Sequence, residues 1–225
     1  TMVADPPAVR DLALGETGFL TAMDTNALWV DMTTGRPAFS RELGASAREQ
    51  GIRFLDAPVA GSRPQAENGA LVFFVGGDAA DLDQARPCLE QLSGRIVHTG
   101  GHGQGMALKM VVNHLLGTAM QAFAEGFHLG ENMGLDRALL FDALLAAPVS
   151  APFLDMKRDK MESGDYATDF SLKWMHKDLN MVAQTAYEHT TAMPLSATAQ
   201  ESYRMAMRSG LGEDDFAAIY QWIHG

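Results

Sequence analysis

The sequence predicts an α/β domain followed by an all-helical domain, with one long helix joining them. Over the first hundred residues, short apolar segments alternate with segments of helical character. A stretch of almost thirty residues without proline follows, and the rest of the chain shows helical character only. This change in pattern near residue 103 predicts a domain boundary, with one domain over 1–102 and the other over 103–225.

Four apolar segments of the first domain are typical of buried strands. Because helices separate them, we expect a layered α/β domain in which ligands bind beyond the carboxyl ends of the strands. Those ends carry Thr33–Thr34 and the loop 60–64. The predicted strands are 27–32, 52–58, 70–77 and 95–99, and the predicted helices are 37–50 and 78–92.

The long helix is predicted over 103–134. At ~1.5 Å per residue it would extend for about 40 Å, enough to cross a whole domain. Apolar residues occupy most of its sides, so we expect a buried helix rather than a surface one. The apolar residues on which this expectation rests are Met106, Leu108, Val111, Leu115, Met120 and Phe123.

Two polar residues, Lys109 and Asn113, interrupt the start of this helix. They are four positions apart, so their side chains leave the same helical face. Burying an ammonium beside an amide is costly unless a ligand or a reaction uses them. The alternative is a lysine that extends to solvent beside a surface amide.

The second domain is predicted to be helical throughout, with helices at 136–146, 150–164, 170–188, 194–210 and 213–223. The seven histidines show no ligand spacing such as HxxxH, so we expect no metal site. No GxSxG motif or Cys–His signature of nucleophilic catalysis is present.

Composition narrows the class of protein. The net charge of −11 argues against a nucleic acid or an anionic membrane as partner. The single cysteine, Cys88, excludes an internal disulfide and is expected as a small core residue. The chain shows no signal peptide and no apolar run of about 18 residues, so we expect a cytoplasmic protein.

The segment GGHGQG (100–105) imitates a dinucleotide-binding fingerprint, because it follows a strand and opens a helix. In the true fingerprint a second parallel strand follows within ~30 residues and ends in the acidic residue. Here Glu125 lies within the long helix and no strand follows. We therefore expect these glycines to serve the turn from the sheet into the helix.

Four segments resemble the β-hydroxyacid dehydrogenases, an NAD(P)-dependent family related to 6-phosphogluconate dehydrogenase. They are LDAPVAGS (55–62), GQGMALKMVVNHLL (103–116), AEGFHLGENMGLD (124–136) and FSLKWMHKDL (170–179). The resemblance covers the whole chain and implies a Rossmann-like parallel sheet before the helical domain. FLDMK (153–157) and residues 61–78 look closest to the glyoxylate and succinic semialdehyde reductases.

The resemblance implies roles for individual residues. Lys109 matches the family's catalytic lysine, and Asn113 matches the amide that assists it. The loop Ala60, Gly61 and Ser62 matches the one whose N–H groups hold the substrate carboxylate. Phe170 and Asp178 match residues on the substrate side, and the positions expected to face NADPH or NADH are Met2, Val3, Thr34 and Lys177.

Two departures from the family accompany the resemblance. Ala60 stands where the family usually has serine, so one hydroxyl contact to the substrate is lost. The strand, Gly-rich loop and helix with which the family begins do not occur in these 225 residues. We therefore expect an incomplete copy of the functional polypeptide that binds the cofactor poorly by itself.

The expected activity is the NAD(P)H-dependent reduction of a short aldehyde acid to its hydroxy acid, with NADPH favoured and with a homodimer or homotetramer as the assembly. The alternatives are oxidation of 3-hydroxyisobutyrate and reduction of tartronate semialdehyde. A different class is a non-catalytic interaction protein, since some relatives have lost the catalytic lysine, as have the imine reductases. The presence of Lys109 disfavours both lysine-free groups.

Overall fold

The computed structural model describes residues 1–225, which divide into two compact units, Thr1–Val112 and Asn113–Gly225. The first unit contains a sheet and helices, and the second contains only helices and short 3-10 turns. The predicted fold class, an α/β part followed by an all-helical part, is confirmed. One helix of 29 residues continues from the first unit into the second.

The first unit alternates strands and helices as its hydrophobic pattern predicts. The predicted strands all occur, and two short elements between residues 57 and 70 were not predicted. A helix before β1 was also missed. The elements are α1 (Pro6–Leu14), β1 (Leu28–Asp31), α2 (Pro37–Glu49), β2 (Arg53–Asp56), β3 (Val59–Ala60), α3 (Arg63–Glu67), β4 (Leu71–Gly76), α4 (Ala79–Leu89), β5 (Ser93–Gly100) and α5 (Gln104–Asn132).

The sheet is dominated by parallel pairs but is mixed. β1 pairs with β2 and β4 pairs with β5 in parallel, and a helix connects the strands of each pair. β4 is antiparallel to both β2 and β3. The connection from β2 to β4 holds only the two-residue β3 and the short α3, so the chain reverses direction there instead of making a crossover.

Hydrophobic residues cover both faces of this sheet because side chains alternate along each strand. Phe54 of β2 belongs to a cluster with residues of α1, α2 and β1, and the next residue, Leu55, belongs to a second cluster with β4 and α4. The larger members of the first cluster are Leu20, Trp29, Phe39, Leu43 and Phe54. Those of the second are Leu55, Leu71, Phe73, Leu82 and Leu89.

A buried carboxylate joins the sheet to the start of α5. Asp56, at the end of β2, accepts hydrogen bonds from the backbone N–H groups of Gly103 (2.7 Å) and Met106 (3.0 Å). A Cβ at Gly105 would lie 2.4 Å from the carbonyl oxygen of Phe74 and 2.8 Å from Oδ2 of Asp56. The glycines of this segment therefore permit close backbone approach, and the helix N-terminus holds an internal anion where a phosphate would bind.

The second unit packs its helices around a single large cluster. Its most buried large members are Met120, Phe127, Phe141, Leu172 and Tyr203. After the long helix the chain forms α6 (Arg137–Ala146), α7 (Arg158–Ser163), α8 (Leu172–Glu188), α9 (Pro194–Arg208) and α10 (Ile219–His224). The predicted helices at 150–164 and 213–223 are each shorter, because a 3-10 turn occupies the first part of the range.

Two burial predictions are wrong. Val111 and Leu115 on α5 are 55% and 60% exposed, although Met106, Met120 and Phe123 are buried as expected. These residues occupy two sides of one helix, and composition cannot say which side meets the core. Cys88 is exposed near the end of α4, not in the core.

No helix of the chain combines the length and the apolar character needed to span a bilayer.

Three buried tyrosines should make the second unit sensitive to alkali. Burial raises the pKa of Tyr166 from 10.0 to about 12 and also raises the pKa values of Tyr203 and Tyr220. The unfolded chain would release these protons near pH 10, whereas the folded chain retains them. Their contribution to stability is therefore complete below about pH 10 and is lost as the pH rises through the folded pKa values.

Urea unfolding between about pH 9 and pH 11 should reveal this loss. Above about pH 10 the free energy of unfolding should fall by up to about 1.4 kcal/mol per tyrosine for each pH unit. The control is Tyr187→Phe, because Tyr187 is 88% exposed and its removal should leave the pH profile unchanged. A free energy of unfolding that stays constant across this range would contradict the prediction.

Candidate functional site

Lys109 and Asn113 lie one turn apart on α5, and both are buried. Lys109 is 8% exposed and Asn113 is fully buried, which excludes a lysine that extends freely into solvent beside a surface amide. Their neighbours Val111 and Leu115 are exposed, so the two polar residues occupy the covered side of the helix while apolar ones face outward. Burying these two polar side chains is costly unless each has a partner or a ligand.

Asn113 is held by α8. Its Nδ2 donates a 2.6 Å hydrogen bond to Oδ2 of Asp178, which is also buried. The ammonium of Lys177 lies 3.1 Å from Oδ1 of the same carboxylate and 5.4 Å from the ring centre of Trp174. The structure thus joins three predicted site residues, Asn113, Lys177 and Asp178, in one polar cluster. Oδ1 of Asn113 is buried without a hydrogen-bond partner in the chain.

Phe170, predicted on the substrate side, lies just before α8 and is half-buried. Its position depends on Asp215, a fully buried carboxylate that sequence reasoning missed. Oδ2 of Asp215 accepts hydrogen bonds from the backbone N–H groups of Asp169 (3.1 Å) and Phe170 (3.3 Å) and from Nζ of Lys157 (2.8 Å). Asp215 and Lys157 therefore hold the segment that leads into α8. No spacing in the sequence links them, because 58 positions separate the two.

The predicted carboxylate loop begins in a strand. Ala60 is the last residue of β3 and pairs with Val72, and Gly61 is exposed with φ of 110°. The N–H of Ser62 donates to Oε1 of Gln65 (2.9 Å) as part of the N-terminal cap of α3. The loop therefore offers fewer available N–H donors than expected, since at least the N–H of Ser62 is already used within the protein.

Met2, Val3 and Thr34 lie around the carboxyl end of β1. The backbone of Thr1 pairs with β1 in the parallel pattern. Its amino group donates to the carbonyl of Val30, and its own carbonyl accepts from the N–H of Met32. The N–H of Val3 donates to Oγ1 of Thr33 (3.0 Å). Parallel strands of this kind bind ligands at their carboxyl ends.

The residues at this edge fit one part of a nicotinamide dinucleotide. Met2 is 56% exposed and Thr34 is half-buried. An exposed apolar side chain beside a threonine suits an aromatic or ribose group of a ligand. The N-terminus of α5 does not fit the pyrophosphate, because Asp56 already binds its N–H groups.

Family comparisons cover almost the whole chain. Residues 1–100 match the model described as the NAD binding domain of 6-phosphogluconate dehydrogenase. Residues 103–223 match the model described as NAD-binding of NADP-dependent 3-hydroxyisobutyrate dehydrogenase. Both descriptions name a nicotinamide dinucleotide.

Individual relatives agree with these matches. Glyoxylate/succinic semialdehyde reductase 2 (chloroplastic) of Arabidopsis thaliana is 33% identical over 98% of this chain, which spans 62% of that protein. Cytokine-like nuclear factor N-PAC of Homo sapiens is 31% identical over 99% of the chain, which spans 40% of it. The structure of 3-hydroxyisobutyrate dehydrogenase from Mycobacterium tuberculosis with L-serine has a TM-score of 0.89, at 30% identity over 100% of this chain and 78% of that one.

The sequence matches and the structural likeness lead to the same assignment. They extend through both units, including the segments that carry Lys109, Asn113 and Asp178. The chain belongs to the β-hydroxyacid dehydrogenase family.

Proposed function

We propose that this chain supplies the catalytic and substrate-binding residues of an NAD(P)H-dependent reductase that converts a short aldehyde acid to the hydroxy acid. Glyoxylate and succinic semialdehyde are the proposed substrates, and NADPH is the favoured cofactor. In this proposal residues 1–102 form part of a dinucleotide-binding domain, and residues 103–225 form a substrate and dimerisation domain. The observation that carries it is the burial of Lys109 one helical turn from Asn113, which Asp178 holds in place.

Lys109 is the proposed general acid. Reduction of an aldehyde generates an alkoxide that needs a proton, and an ammonium can supply it; in the reverse direction a neutral lysine removes it. When bound, the nicotinamide ring supplies the hydride. Met2, Val3, Thr34 and Lys177 are the residues proposed to hold the cofactor.

Asn113 is the proposed positioning group for the reacting oxygen. Its amide nitrogen carries two hydrogens, and the bond to Asp178 uses only one of them. The other can donate to the substrate oxygen. Because Asp178 and Asn113 are both buried, this amide has little freedom to rotate. Phe170, whose backbone Asp215 holds, contributes the proposed apolar wall of the substrate pocket.

The proposal can be tested by comparing substrates with and without a carboxylate. Steady-state reduction of succinic semialdehyde should exceed that of butyraldehyde by about 10²-fold or more in kcat/KM, because the polar groups meant for the carboxylate are left unpaired by the simple aldehyde. The protein should be assayed as it occurs naturally, with NADPH and then NADH. Equal reduction of both aldehydes would exclude a role for Ala60, Gly61 and Ser62 in carboxylate binding.

The specific substrate can be separated from the alternatives in the same assay. Reduction of glyoxylate or succinic semialdehyde should proceed faster than oxidation of 3-hydroxyisobutyrate or reduction of tartronate semialdehyde. The likeness to N-PAC keeps a non-catalytic role as a competing hypothesis. No turnover of any of these four compounds, with either cofactor, would favour that role over the proposed enzyme.

A further inference from the structure

We infer that His128, Glu131 and His224 form a binding site for a transition-metal dication of the Zn²⁺ type. His128 and Glu131 lie three positions apart near the end of α5, and His224 is the last residue of α10. One ligand atom from each residue lies within 4.8 Å of the other two. Nothing in the sequence pattern predicts this cluster, because His224 lies far along the chain from His128 and Glu131.

His224 and Glu131 already approach each other at the spacing of two metal ligands. Nδ1 of His224 lies 3.1 Å from Oε2 of Glu131, and the two imidazole ring centres are 4.7 Å apart. One Zn²⁺ ion could bind Nδ1 of His224 and Oε2 of Glu131 together, because the ligand atoms of a tetrahedral site are about 3.3 Å apart. Nε2 of His224, which is buried without a partner, would then carry the ring proton.

His128 offers its Nδ1 as the third ligand atom. Its Nε2 lies 3.0 Å from Nδ2 of Asn132, and its Nδ1 is buried without a partner. The nitrogen and oxygen of the Asn132 amide can exchange places by rotation of the group. With its oxygen toward His128, Asn132 would accept a hydrogen bond from Nε2–H, and Nδ1 of His128 would keep its lone pair for the metal. Ligating histidines in metal sites are typically oriented in this way, by a hydrogen bond from the other ring nitrogen.

Glu131 completes the set with one carboxylate oxygen. Its Oε1 is 3.1 Å from Nη1 of Arg137, which fixes the carboxylate and leaves Oε2 directed toward His224. Two imidazoles and one carboxylate are a ligand set that suits Zn²⁺, whereas Mg²⁺ and Ca²⁺ prefer oxygen ligands only. In a tetrahedral site the ligand atoms would be about 3.3 Å apart, so side-chain rotations would have to close the cluster.

The charge of Arg137 should limit the affinity. Its guanidinium stacks near the rings of Phe127, Phe141 and Tyr220, so it is held in place and cannot easily leave. A fixed cation beside the site opposes a dication, and we therefore expect binding in the micromolar range. Occupancy would tie the end of α5 to α10 and raise the thermal stability of the second unit.

Calorimetric titration of Zn²⁺ into the chelator-treated natural polypeptide tests the site. We expect one equivalent to bind and the midpoint of thermal unfolding to rise. His224→Gln and Glu131→Gln should each weaken binding by at least about tenfold, since each removes a ligand. His189→Gln, a change at an exposed histidine at the end of α8, is the matched control and should bind as the unchanged protein does.

Cobalt gives an independent readout that does not depend on the variants. Co²⁺ bound by these residues should show the intense visible bands of a four-coordinate ion, and Zn²⁺ should displace it. If His224→Gln is poorly folded by circular dichroism, His128→Gln replaces it in the comparison. Substoichiometric binding, equal binding by all variants, or the weak bands of a six-coordinate ion would each overturn the proposal.

Discussion

Lys109→Ala should reduce turnover by about 10²-fold or more while leaving cofactor affinity largely unchanged. The reason is that the variant retains the fold but loses the group that transfers the proton. The effect should appear in kcat and in kcat/KM to a similar extent, because the proton is transferred only in the transition state. Steady-state kinetics and a fluorescence titration of NADPH would measure the two quantities on the complete natural polypeptide.

Two comparisons sharpen this test. Asn113→Ala should cost less than Lys109→Ala, because Asn113 positions the reacting oxygen and transfers no proton. Lys173→Ala is the matched control, since this lysine on α8 pairs with the exposed Glu213 and should leave turnover unchanged. Near-normal turnover in Lys109→Ala would show that the buried ammonium is structural only.

Gly105→Ala should destabilise the first unit by about 3 kcal/mol or more. The new methyl group would lie 2.4 Å from the carbonyl oxygen of Phe74 and 2.9 Å from that of Asp56. Both atoms belong to the backbone of the sheet, so neither can turn away as a flexible side chain would. A lower midpoint in urea unfolding, with the slope unchanged, would report the loss.

Gly126→Ala on the same helix is the matched control. No atom lies within 4 Å of a Cβ placed there, and the residue is exposed in a helical conformation. Alanine should therefore stabilise the chain by about 0.5 to 1 kcal/mol through the higher helix propensity. Equal changes in the free energy of unfolding for the two substitutions would show that Gly105 is not required for close packing.

The periodic parts of the fold could be predicted from the sequence. Strands β1, β2, β4 and β5 and the long helix α5 were found near their observed bounds, because each carries a sustained apolar pattern. The short β3 and α3 were missed because two and five residues are too few to show a period. The antiparallel pairing of β2 with β4 could not be predicted from the sequence either, since it depends on the length of the connection between the two strands.

The site could be predicted only where residues share one element or a known motif. The spacing of Lys109 and Asn113 places them on one helical face, and their burial follows that expectation. Asp215, which holds Phe170, has no local pattern because its partners come from other parts of the chain. His128 and His224 meet only after folding, and no spacing rule connects residues so far apart.

The burial of Asp56 has a consequence for how the first unit responds to salt. Surface pairs such as Arg10–Glu42 weaken as ions screen them, because both partners are exposed to solvent. The carboxylate of Asp56 is fully buried, and dissolved ions cannot come between it and the N–H groups of Gly103 and Met106. The attachment of α5 to the sheet should therefore depend far less on ionic strength than surface pairs do, and Lys109, one turn further along, should keep its position in dilute and in concentrated salt.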